Sequence, residues 1–302
     1  MANSALAYLP EQWPSIRTML WAGMEGILTP KPAGILSESD WIKAGTVSGE
    51  VTAPSKALVR DYSAFCKALP GSYTNELPPH LFPQWTFPLV AKSLMSLGYP
   101  LHLVINGGAC LHVNDVIPIG QPLSVRVEPL SITPKGRWLE LVQEVTTGTS
   151  QAPRAVQARM HTLVPAPKKD GGSKNTKATI QIPTHCRELA RRRFKKKSGL
   201  RFAGLTGDYN PIHWIAPAAQ LSGFKTVILH GFATFATAYE VVRKARCPWI
   251  KRVSDFNLKF YKPLHLPGDV GIYVGDDSTT PQVFIGKAPG AKPVAYGTFN
   301  IE

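Results

Sequence analysis

Asp208 and His213 stand five residues apart in the segment Gly207-Asp208-Tyr209-Asn210-Pro211-Ile212-His213. A glycine and a proline in so short a span exclude an unbroken helix through both polar residues. The segment has to be a shaped loop or a broken helix end, and such a loop can aim a carboxylate and an imidazole at one point. Together the two can hold a water and move its protons, which is general acid–base chemistry. Each residue alone has an ordinary explanation. Asp208 suits an Asx turn or a helix cap, Asn210 a structural turn, and His213 a buried, hydrogen-bonded histidine. Taken singly, the ordinary explanations of Asp208 and His213 are the favoured ones. Downstream, His230-Gly231 opens an apolar helix. The Gly231 amide is one of the unpaired donors at a helix start, where the dipole favours negative charge. Its missing side chain permits close approach, so it reads either as an oxyanion donor or as a packing glycine. His230 reads as a residue that orients the helix start.

No other constellation competes. There is no Gly-x-Ser-x-Gly elbow, no Gly-x-x-x-x-Gly-Lys-Ser/Thr loop and no Gly-x-Gly-x-x-Gly. Cys66, Cys110, Cys186 and Cys247 are scattered without a Cys-x-x-Cys pair, which reads as reduced thiols and no metal site. The 302 residues are 44% hydrophobic, enough for two domains with real cores. No apolar run is long enough to span a membrane, the first residues lack a signal-peptide pattern, and Phe299-Asn-Ile-Glu302 is no targeting tail. A cytoplasmic protein without membrane insertion is the expectation.

The net charge is +14, and residues 168–197 hold eleven Lys or Arg against two acidic residues. This region includes the run 191–197. It reads first as a solvated basic face, with a phosphate-bearing ligand or nucleic acid as the sharper readings. Only Phe194 is interleaved with the charges, so the stacking series of single-strand binders is missing and no nucleic-acid partner is expected.

Residues 165–178 are polar and aperiodic, as in a linker. The flanking segments, 45–164 and 179–302, share an order of elements, and residues 1–44 form an N-terminal extension with a helical stretch near Trp13–Leu28. In the second half the pattern predicts a β-type stretch at Ala178–Pro183, the motif loop, and a helix Gly231–Arg246. That helix buries one face through Phe232, Phe235, Ala236, Tyr239 and Val242. Strands follow near Val253–Tyr261, Val270–Val274, Gln282–Lys287 and Val294–Ile301. The first half predicts a strand at Thr46–Thr52, helices at Ala57–Leu69 and Pro88–Leu97 with Gly98 just past the end, and strands near Leu101–Val113, Leu123–Pro129, Trp138–Thr147 and Ala155–Val164. It lacks the motif. Asn75 stands five residues before His80, so no carboxylate accompanies that histidine and one working site per chain is expected.

The stretch Phe202–Ala219 resembles the signature of the MaoC-like, or type-2 (R-specific), enoyl-CoA hydratases. Phe202, Thr206, Gly207, Asp208, Asn210, Pro211, Ile212, His213 and Ala219 all fall at the family's spacing, and His230-Gly231 follows at the right distance. The resemblance implies an α+β fold of two tandem hotdog domains, each an antiparallel sheet wrapped around a central helix. It implies hydration of a trans-2-enoyl-CoA to an (R)-3-hydroxyacyl-CoA, or the reverse, with no cofactor and no metal. Asp208 and His213 would be the catalytic pair, with Asp208 taking the water's proton and His213 relaying one to the α-carbon, a division that the sequence itself leaves open; Asn210 would be the brace for loop and water, and Gly231 the oxyanion hole. The first half would shape the acyl pocket, and one chain would supply both units of a site, so a homodimer of such chains is possible but not required. Departures are Ile215, where an aspartate is common, and Tyr239, near where some members carry a serine. The rival readings are a dehydratase acting on acyl carrier protein, a hotdog thioesterase (those lack this motif), and a non-catalytic acyl-CoA or nucleic-acid binding module.

Overall fold

The computed structural model describes residues 6–28, 37–97, 104–166, 179–247, 252–276 and 279–302. Two helices come first, α1 (Leu9–Leu28) and α2 (Glu38–Gly45). The first half continues with β1 (Val47–Val51), α3 (Lys56–Cys66), a 3-10 turn Pro79–Leu81, α4 (Phe82–Met95), β2 (Ile105–Val113), β3 (Leu123–Lys135), β4 (Trp138–Gly148) and β5 (Val156–Pro165). The second half runs β6 (Arg187–Phe194), α5 (Ser198–Thr206), a 3-10 turn Pro211–His213, α6 (Ala216–Leu221), α7 (Gly231–Arg246), β7 (Val253–Phe260), β8 (Gly268–Gly275), β9 (Gln282–Gly286) and β10 (Ala295–Ile301).

The described strands join into one antiparallel sheet in the order β1-β3-β4-β5-β2-β7-β10-β9-β8-β6. Read inward from each edge, the two halves have the same order, and they meet at the β2–β7 pair, where Cys110 lies opposite Asn257. A His112–Asp255 contact of 2.7 Å crosses that seam. Each half is therefore a sheet curved around its own long helix, α4 or α7: the double hotdog that the resemblance implied. The two layers share one core. Phe235 of α7 meets Phe256 of β7 edge to face at 5.1 Å, and both are fully buried.

The strands downstream of each central helix, and α3, lie where the sequence pattern puts them. Four details differ. Helix α4 starts at Phe82, not at Pro88: Pro83 occupies its first turn, where no amide partner is needed, and Pro88 is carried inside the helix. Strand β3 runs on to Lys135, past the predicted end at Pro129. The predicted β-type stretch at 178–183 is no strand in its described part, residues 179–183. The first strand of the second half is instead β6, hidden by its charges and by a register shift between Glu188 and Ala190 that breaks the alternation. Finally, α7 does not bury one face: every residue from Ala233 to Val242 is buried, because elements of the first half cover its other side. The predicted linker lies almost entirely outside the described residues, as do Gly98 and Ala178. None of the four cysteines forms a disulfide. No helix among the described residues is long and apolar enough to cross a membrane.

Candidate active site

Helix α5 ends at Thr206, and Gly207 takes a left-handed φ of +80° as its C-cap. A side chain would be strained there, and its Cβ would also press on Ser15 at 3.1 Å and Gln12 at 3.4 Å. The left-handed residue turns the chain off the helix axis and presents Asp208. Asp208 Oδ1 accepts the Asn210 N–H at 3.2 Å, and Asn210 Oδ1 accepts the Ile212 N–H at 3.3 Å. The turn roles open to both residues are thus realised, and they shape the loop rather than displace its chemistry. Asp208 spends one carboxylate oxygen on the turn, and its side chain stays 39% exposed.

His213 sits behind it, buried, at the end of the second 3-10 turn. Its Nδ1–H donates to the Ile228 carbonyl at 2.9 Å. A neutral imidazole carries one N–H, so this bond leaves a lone pair on Nε2. Burial holds the His213 pKa below its ordinary value, against the opposing pull of Asp208 and the Ile228 carbonyl. Near neutral pH His213 is therefore an acceptor, not a stored proton.

His230 contributes more than its place at the helix start suggested. Its Nε2–H donates to the Asp208 backbone carbonyl at 2.9 Å, and its ring stacks on His213 with centroids 3.5 Å apart. Burial and the neighbouring His213 push its pKa down to about 3. His230 therefore stays neutral and fixes both the Asp208 backbone and the His213 plane. One ligand atom each of Asp208, His213 and His230 lies within 4.8 Å of the others. A shared metal ion does not follow. The rings stack with centroids 3.5 Å apart and only 23° between their planes, so an ion close by cannot lie in both ring planes at once, and one nitrogen of each ring is already a donor.

Gly231 heads α7 with His230 as N-cap. Its N–H has no backbone acceptor among the described residues. A Cβ on Gly231 would fall 2.5 Å from the Phe260 ring, so packing alone already demands glycine here, and the amide is left at the positive end of the helix. Thr234, Thr237 and Tyr239, the residues near the departed serine position, are all buried, and the Tyr239 hydroxyl points to the Val253 carbonyl at 3.4 Å.

Residues 175–275 match the family model described as MaoC like domain. The second half carries a MaoC like domain. Over 253 residues, 80% of this chain and 84% of the relative, the sequence is 28% identical to the 3-hydroxyacyl-thioester dehydratase X of Mycobacterium tuberculosis. The fold is similar to the crystal structure of HtdX from the same organism, with a TM-score of 0.67 at 24% identity over 84% of this chain and 98% of that one. It is similar also to a MaoC-like dehydratase from Phytophthora capsici, with a TM-score of 0.68 at 15% identity over 88% and 99%. A third similar structure is a Mycobacterium tuberculosis protein with a double hotdog fold, TM-score 0.55 at 11% identity over 84% and 94%.

Outside the MaoC like match, His80 also has a carboxylate partner, contrary to the expectation from its own segment. Glu240, on α7 of the other half, lies 2.9 Å from His80 Nε2, and both side chains are fully buried. Tyr73 donates to the same carboxylate at 2.5 Å, and Arg243 reaches its second oxygen at 2.9 Å. Burial would raise the Glu240 pKa, but His80 and Arg243 outweigh it and hold the carboxyl at about 2. Burial holds His80 below its ordinary value, so it donates as a neutral ring. A partner 160 residues away in sequence could not be found by local spacing.

His80, His213 and His230 all have pKa values lowered by burial. Below about 6.5 the unfolded chain therefore binds more protons than the native one, and stability is lost as pH falls. The urea midpoint should drop between pH 8 and pH 5.5, and a midpoint that holds constant across that interval would contradict the burial of these rings as neutral species.

Proposed function

We propose that the chain is a hydro-lyase that adds water to a trans-2-enoyl thioester to give the (R)-3-hydroxyacyl thioester, or removes it in reverse. The observation that carries this reading is the half-exposed Asp208 carboxylate beside a neutral, buried His213 whose Nε2 keeps a lone pair. The 3-hydroxyacyl-thioester dehydratase among the relatives supports the substrate class.

In the hydration direction a water sits between Asp208 and His213 Nε2. His213 takes its proton while the oxygen bonds to the β-carbon. The double-bond electrons move onto the thioester oxygen, which the Gly231 N–H and the α7 dipole stabilise. The imidazolium then returns its proton to the α-carbon, the enolate collapses, and all atoms of the water are in the product. Asp208 orients the water and stabilises the transient imidazolium. Asn210 braces the loop that holds both. The protein needs no further group, because the thioester itself delocalises the charge. The neutral starting state of His213 supports it as the proton acceptor with Asp208 as the partner charge, the reverse of the roles expected from the resemblance.

Incubation with crotonyl-CoA tests this directly. Enone absorbance should disappear and the product should be the (R) isomer. On the acid side kcat/KM should stay flat to below pH 6.5, the ordinary histidine value, because the His213 pKa is lowered. No loss of absorbance with either crotonyl-CoA or a carrier-protein thioester would overturn the reading. Activity with the carrier-protein thioester alone would reassign the substrate carrier.

A further inference from the structure

Helix α1 touches the candidate active site from outside the sheet, through one fully buried polar side chain, Gln12. Its Nε2–H₂ donates to the Gly204 carbonyl at 2.5 Å, in the last turn of α5, where carbonyls run out of intrahelical partners. Its Oε1 accepts the Tyr209 hydroxyl at 3.4 Å. Its Cβ and Cγ, with Ser15 Cβ, form the wall against Gly207. One side chain thus spans both flanks of Asp208, from residue 204 to residue 209. On the inner side, His230 holds the Asp208 carbonyl.

The helix that carries Gln12 is itself tied down. The Glu11 carboxylate accepts both the N–H of Ser55, at 2.9 Å, and its hydroxyl, at 2.7 Å, on the N-cap of α3. Tyr8 donates to Asp61 at 2.6 Å. Its pKa is pushed up to about 12, chiefly by burial and by Asp61, so it remains a donor. Helix α1 therefore bridges α3 of the first half and the catalytic loop of the second. Burying a primary amide is costly unless both its ends are bonded, and here both are bonded to the segment that presents the carboxylate.

We propose that Gln12 is a positioning residue for Asp208: it fixes the left-handed turn at Gly207 from the outside, as His230 fixes it from the inside. The proposal rests on the hydratase reading above. Gln12 is buried and reaches no substrate, so its loss should misplace the carboxylate rather than weaken binding. Misplacement of that kind costs between roughly ten- and a hundredfold in rate.

Two variants and two readouts test it. Gln12→Leu keeps the bulk and removes both hydrogen bonds. It should lower kcat by roughly tenfold or more while KM changes by less than about twofold. Hydrogen–deuterium exchange should quicken in the peptide covering residues 204–214. Gln12→Glu keeps the size and folds even if the leucine variant does not. A buried carboxyl is protonated at higher pH than a free one, and in that form can donate to the Gly204 carbonyl. Its kcat relative to wild type should therefore rise from pH 8.5 toward pH 5.5. Wild-type kcat and unchanged loop exchange in both variants would overturn the proposal. A wild-type protein inactive on every enoyl thioester, with loop exchange still quickened by Gln12→Leu, would sink the hydratase reading and leave the brace standing.

Discussion

Purified Asp208→Asn turns over a 2-enoyl thioester at no more than about a hundredth of the wild-type rate and unfolds at the wild-type urea midpoint. The two halves of this expectation come from the two carboxylate oxygens. Oδ1 serves the loop by accepting the Asn210 N–H, and the carbonyl oxygen of asparagine can accept the same bond. The backbone of residue 208 stays tied to His230 whatever its side chain. The second oxygen carries the charge that orients the water and stabilises protonated His213, and an amide supplies neither. His213→Ala should cost as much, since it removes the Nε2 lone pair. Steady-state kinetics on the folded variants decide the matter. An Asp208→Asn protein within threefold of wild type would remove the carboxylate from the mechanism.

Glu240→Gln has its largest effect on stability. It leaves His80 and Arg243 facing a neutral amide inside the protein, where Glu240 now stands ionised and fully buried. Removing one partner of a buried charge pair costs about 3–5 kcal/mol, because the other charge is left uncompensated. Urea unfolding should register a loss of that size. Molecules that remain folded should keep their turnover within a few fold, since Glu240 lies more than two turns along α7 from Gly231 and hydrogen-bonds His80, Tyr73 and Arg243, not Asp208, His213 or His230. A loss below about 1 kcal/mol would show that the cluster is dispensable. A collapse of turnover in fully folded protein would mean that it reaches the reacting groups.

The strength of the sequence reading lay where chemistry and local geometry coincide. Gly207, Asn210 and Pro211 dictate a turn wherever they occur, so the loop carrying Asp208 and His213 could be read from seven residues. Helix α7 was equally plain in its ends, yet the pattern gave it one buried face, and Glu240, outside that apolar set, is fully buried as well. Amphipathic spacing reports a helix's own pattern and is silent about a second layer folding over the polar side. Gln12 escaped for a related reason. A glutamine in an apolar stretch gives no local signal, and its partners at 204 and 209 are almost 200 residues away. His230 carried a clue in its glycine neighbour, but only tertiary contact shows that it touches both candidate catalytic residues. Strand β6 was obscured by composition. Its alternation is broken by the register shift, and arginines conceal the buried Phe194.

The position of β6 bears on how separate molecules meet. Among the described residues the ten-stranded sheet ends on one side at β6. A bare margin is a template for another chain's backbone, the route to fibrous association. Here Arg187 and Arg193 stand exposed along that margin, and Lys195, Lys196 and Lys197 follow at its end. Two such margins brought together would set like charges face to face. The basic run, read from sequence first as a solvated face, thus lies along and just beyond a sheet margin, where its like charges oppose edge-to-edge pairing of two copies through β6.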